Sequence, residues 1–146
     1  MVLIRPWTLC ENVTRRICNP SEFIRRQGLP IIHNGDVEER HLHDNATYRT
    51  IVGDAEGSTP VRLGLQTSPP GFNTGVHWHP YMEIVIVLEG EGEAWIEGEG
   101  EVGSIGPGTT MVFPPQVKHW FSVTGSRSMK TYGIHASPDR IVQRSD

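Results

Sequence analysis

The stretch Gly71–Gly90, GFNTGVHWHPYMEIVIVLEG, sets the reading of the whole chain. Alternate side chains of a β-strand share a face, so His77 and His79 point the same way and can grip one ion. Pro80 cannot donate to a sheet ladder and reads as a corner. The run Glu83–Leu88, EIVIVL, then reads as a strand of its own, opening with a carboxylate. A corner at Pro80–Tyr81–Met82 would fold Glu83 back beside the two histidines. A fourth ligand must come from a distant strand, and GTTMVFPPQVKHWF supplies His119, on an apolar strand after a proline pair. Neutral imidazoles with a carboxylate suit iron, manganese, nickel, cobalt or zinc. Ordinary polar strand positions are the competing reading. Three histidines and a carboxylate inside a small barrel would be costly to bury without a metal or a hydrogen-bonded network.

Outward from this stretch the chain is built of strands. It has 146 residues, a length for one domain, with 36% hydrophobic residues, 16 glycines and 11 prolines. That balance predicts many short strands joined by tight turns. From Tyr48 onward the pattern has period two. VRLGLQTS puts Val61, Leu63 and Leu65 on one face and Arg62, Gly64 and Gln66 on the other. The polar face could look into the barrel or out to water. EGEGEAWIEGEGE alternates over Glu93–Glu97 with glycines placed for hairpin turns, and its glutamates would line a solvated face. Strands at this spacing predict an all-β sandwich or barrel. We expect residues 1–47 to be an irregular or helical N-terminal extension packing on the barrel, with one short helix near NPSEFIRR at 19–26, and residues 48–146 to be the barrel.

The formal net charge is −4, with no basic patch of the kind a nucleic-acid surface needs. Cys10 and Cys18 match no zinc spacing and read as free thiols in a reducing compartment. The three-residue apolar run before Arg5 and Pro6 is too short for a secretory core. A cytoplasmic location and no membrane partner are expected. A second His-x-His, at His41 and His43, lacks a following glutamate and sits in polar sequence; it and His33 read as solvated loop, with the mouth of the barrel as the alternative.

At the level of motifs the chain resembles the cupin superfamily. The family's first motif runs glycine, five residues, His-x-His, three or four residues, glutamate, six residues, glycine; Gly71, His77, His79, Glu83 and Gly90 fit it without a gap. The second is matched by Gly108, Pro114 and His119, while Gln116 stands for its glycine and Val123 for its terminal asparagine. Seventeen residues, Glu91–Pro107, separate the two. The resemblance implies a jelly-roll, or double-stranded β-helix, barrel with His77, His79, Glu83 and His119 holding one divalent transition metal ion, Fe(II) favoured. It implies a small-molecule substrate and a metal-dependent enzyme, a dioxygenase before a redox-silent isomerase, cyclase or lyase. A non-catalytic binding module is the alternative. Catalytic residues beyond the ligands are not assigned. By strand parity Phe121, Gln66, Arg62 and Tyr81 are the candidate substrate contacts. Trp78 and Trp120 should face away from the ion, into an intersheet or subunit contact, and a homodimer is expected.

Overall fold

A computed structural model describes residues 31–54 and 59–144. The described residues from Ile32 onward form one compact unit. Cys10, Cys18 and the helix expected at 19–26 lie outside the described residues.

The described residues hold eleven strands: β1 (Arg40–His41), β2 (Thr47–Val52), β3 (Arg62–Ser68), β4 (His77–Trp78), β5 (Glu83–Glu89), β6 (Gly92–Ile96), β7 (Gly103–Ile105), β8 (Thr110–Phe113), β9 (His119–Val123), β10 (Met129–His135) and β11 (Gln143–Arg144). A 3₁₀ turn at Asn34–Asp36 precedes them. All pairings are antiparallel, in a six-stranded sheet ordered β1-β2-β3-β10-β5-β8 and a five-stranded sheet ordered β11-β4-β9-β6-β7. This is the expected all-β jelly-roll barrel. The segment Gly71–Gly90 crosses from one sheet to the other. His77 lies on β4 of the smaller sheet, the chain bends at Pro80–Tyr81, and Glu83 opens β5 in the larger one.

Alternation explains the core. On β5, Glu83, Val85 and Val87 are buried while Ile84 and Ile86 are half-buried. Val85, Val87, Met111, Phe113 and Met129 of the larger sheet meet Ala94, Ile105, Phe121 and Val123 of the smaller. Burial of such side chains, at roughly 1.5–3 kcal/mol each, is what holds the two sheets together.

Register settles which way β3 faces. Gln66 pairs with Thr131, Gly64 with Gly133 and Arg62 with His135, and those three residues of β10 oppose Val87, Val85 and Glu83 of β5. The polar face of β3 therefore looks into the barrel, and Val61, Leu63 and Leu65 look outward. Gly64 is required there, because a Cβ at that position would collide with the Tyr48 ring lying across it. The hairpin expected in the glutamate-rich run is present, with β6 paired to β7 and Gly98 and Gly100 at φ 89 and 91° between them.

Candidate metal centre

His77 and His119 face each other across β4 and β9. His79 follows β4 by one residue, and Glu83 is brought round by the bend at Pro80. One ligand atom from each of His77, His79, Glu83 and His119 lies within 4.8 Å of the other three, and all four residues are buried. Each imidazole is oriented by a backbone carbonyl. His77 Nδ1 lies 2.8 Å from the Gly75 oxygen, His79 Nδ1 2.6 Å from that of Ile141, and His119 Nδ1 2.9 Å from that of Val117. Donation from Nδ1 leaves the Nε2 lone pairs turned to the common centre, the tautomer a metal ligand needs. Ring packing holds the same poses: Phe113 stacks on His119 at 3.9 Å and Tyr81 on His79 at 5.4 Å between centroids.

The donor set fits a cation. His79 Nε2 and His119 Nε2 lie 2.9 and 3.3 Å from Glu83 Oε2, yet both are buried with no hydrogen-bond partner. With the Nδ1 protons committed to carbonyls, lone pairs face lone pairs. Close approach alone is not satisfaction, and only a proton or a metal ion placed among them resolves it.

Electrostatics point the same way. Burial works against the Glu83 carboxylate, but the closely approaching imidazoles of His119 and His79 outweigh it and hold the carboxyl below the usual range. Burial lowers His79, and the Glu83 carboxylate beside it more than reverses this, so His79 ends raised. Burial pushes His77 down to about 4.

The candidate substrate contacts separate in space. Phe121 lies on the inward face of β9 and lines the interior beside Glu83, with Gln66. Gln66 also lines an adjoining cavity of about 260 Å³ reached past His77. Arg62 faces inward, but its guanidinium donates to the Asp54 carbonyl and Thr50 Oγ1, each at 3.3 Å, and it lines neither space. Tyr81 supports the site from outside: its hydroxyl accepts from the Ile141 amide at 2.8 Å and lies 3.2 Å from the Ile141 carbonyl. Of the second His-x-His, His41 is exposed on β1, whereas His43 stacks on Phe72 and lines the cavity. Trp78 and Trp120 lie on the outer face of the smaller sheet, half-buried.

Sequence reasoning missed the C-terminal segment. After β10 the chain passes back over the site, where the Ile141 carbonyl fixes His79 and β11 pairs with β4. Arg140, Val142 and Arg144 line the cavity. SPDRIVQR has no strand periodicity, so nothing local announces it. Tyr48 was missed as well, and the small residue at Gly64 that its ring requires was the one available signal.

An antiparallel barrel that gathers three imidazoles and one carboxylate at its interior defines a β-barrel with a candidate metal centre. Residues 64–135 match the Cupin domain family, and the chain carries a cupin domain over that stretch. It is 35% identical over 72 residues to auxin-binding protein T92 of Nicotiana tabacum, covering 47% of this chain and 38% of that protein. It is 35% identical over 80 residues to 5-nitrosalicylic acid 1,2-dioxygenase of a Bradyrhizobium species, covering 54% of this chain and 38% of that one. These matches span well under half of each relative's length. In fold it is similar to the polyketide cyclase RemF of Streptomyces resistomycificus, with a TM-score of 0.69 at 20% identity, over 81% of this chain and 86% of that one. Among the described residues no helix is long and apolar enough to cross a membrane.

Proposed function

We propose that the protein is a metal-dependent enzyme of the dioxygenase type acting on a small oxygenated organic substrate, with His77, His79, Glu83 and His119 holding one divalent ion, Fe(II) favoured. The observation that carries the reading is the convergence of three Nε2 lone pairs and one carboxylate in a buried space, two of those nitrogens having no other partner. Similarity to a nitrosalicylic acid dioxygenase supports the oxygenase choice. A bound ion with these four ligands would keep positions open for substrate and would supply Lewis-acid or redox chemistry. The chain's own residues do the rest. The Gly75, Ile141 and Val117 carbonyls hold the imidazoles in the ligating tautomer. Phe121 and Val85 wall the interior with apolar side chains.

The test is oxygen consumption by Fe(II)-loaded protein across a panel of diketones, catechols and hydroxyaromatic acids. Uptake that His119→Ala abolishes is expected. No uptake on any of them, in protein shown to carry its metal, would remove the oxygenase reading and leave redox-silent Lewis-acid chemistry.

A further inference from the structure

The interior beside Glu83 holds polar groups that the ligand set does not use. His135, on β10, is 3% exposed, and its Nδ1 meets no partner. Its Nε2 lies 3.4 Å from Glu83 Oε1, whereas His79 and His119 approach the other carboxylate oxygen. The Tyr48 hydroxyl is also buried without a partner. Both line the interior together with Gln66 and Arg140. Gln66 and Arg140 line the adjoining cavity too, so the two spaces share a wall. Buried polar atoms left unmatched are costly, and a pair of them facing one space marks it as made for a polar ligand group.

Charge says which kind. Among the described residues lining the two spaces, Glu83 is the only carboxylate, against Arg140 and Arg144. Arg144 is tied to the Thr74 carbonyl at 2.9 Å. Arg140 makes no hydrogen bond or ion pair among the described residues, and its charge reaches Tyr48, His79 and His135. A guanidinium free to present its fork at a cavity mouth matches a carboxylate. Leu42, Phe72 and Val142 give the cavity an apolar part to its lining. At about 260 Å³ the cavity falls near the small end of ligand pockets, roughly 300–1,000 Å³.

We infer that the substrate is a small carboxylate, its carboxylate group held by the Arg140 guanidinium and the Tyr48 hydroxyl, and its body laid against Leu42 and Phe72. The substrate so defined is that of the site proposed above, and its chemistry rests on that reading. Its binding does not.

Salicylate and its neutral amide, salicylamide, are the probes. Each is titrated calorimetrically into the full chain, with metal content measured on the same samples. Salicylate should bind about tenfold or more tighter than salicylamide. Arg140→Gln should erase most of that preference while leaving salicylamide affinity and metal content unchanged, and Arg140→Lys should keep part of it. Equal binding of the two probes, no binding of either, or an Arg140→Gln variant weakened equally toward both would overturn the inference. If the wild type carries no metal, the metal-centre reading fails on that measurement. A salicylate preference that Arg140→Gln removes would still establish the carboxylate site.

Discussion

Replacing Glu83 by glutamine keeps the shape of the side chain and removes its charge. Two readings of the buried cluster give opposite results. If Glu83 is a metal ligand, the variant loses a carboxylate that lies 2.9 and 3.3 Å from two imidazole nitrogens around the same centre. Loss of a supporting partner around a metal costs about 10–100-fold in affinity, so loss of a direct ligand should reach at least the upper end. Metal at about 100 times its dissociation constant stabilises the wild type by roughly 2.7 kcal/mol. For a chain of this size that is a Tm gain of about 5–10 °C. A hundredfold weaker variant at the same metal concentration keeps only about 0.4 kcal/mol, roughly 1–2 °C. If Glu83 instead only neutralises a protonated His79, the metal-dependent gain stays as in wild type, and the cost of glutamine appears only at acid pH, with or without metal. The assay is thermal unfolding at pH 8, where histidine with its ordinary value of 6.5 is neutral, with chelator or with added metal. We expect the metal-dependent gain to collapse in Glu83→Gln and the metal-free midpoint to stay within about 1 kcal/mol of wild type. A variant that keeps the full metal-dependent gain would rule out Glu83 as a ligand.

Three further outcomes are expected. Gln116 holds φ at 66°, where the second motif places glycine. Gln116→Gly should relieve about 1 kcal/mol of strain, read as a higher denaturant midpoint, and an unchanged or lower midpoint would count against it. Gly64→Ala places a Cβ into the Tyr48 ring. It should destabilise by about 1–3 kcal/mol, and a neutral effect in equilibrium unfolding would show that the ring moves aside freely. The folded, metal-free chain holds His77 and His135 near a pKa of about 4, while the unfolded chain takes up protons below 6.5. More protons on the unfolded state at acid pH means that stability falls as pH drops from about 6.5 toward about 4. A flat midpoint across that window in chelator-treated protein would exclude the burial of neutral imidazoles.

Much of this centre can be read in one dimension because its determinants are local. The i, i+2 spacing of His77 and His79 needs only the pleat of a strand, and the Pro80 bend needs only a missing amide proton. The same holds for the β6–β7 hairpin, where glycines at positive φ announce the turns. His119 was reachable because it sits on an apolar strand at the spacing of a second motif. Inversion of β3 was not readable. Period two says that Leu63 and Leu65 share a face, but not which face is inside. Here the polar face is inside because Arg62, Gly64 and Gln66 stand in register with β10, itself paired to β5, and because Tyr48 fills the space over Gly64.

Residue order alone thus carries the fold class, the four converging side chains and the corner that joins them, all properties of strand parity and backbone chemistry over short spans. What surrounds them comes from the closing of the barrel. The Ile141 carbonyl reaches His79 from 62 residues away, and His135 meets Glu83 only through strand pairing. Arg140 reaches the cavity because the chain after β10 folds back along β4. Such contacts depend on how two sheets close on each other, and no spacing along a chain records that.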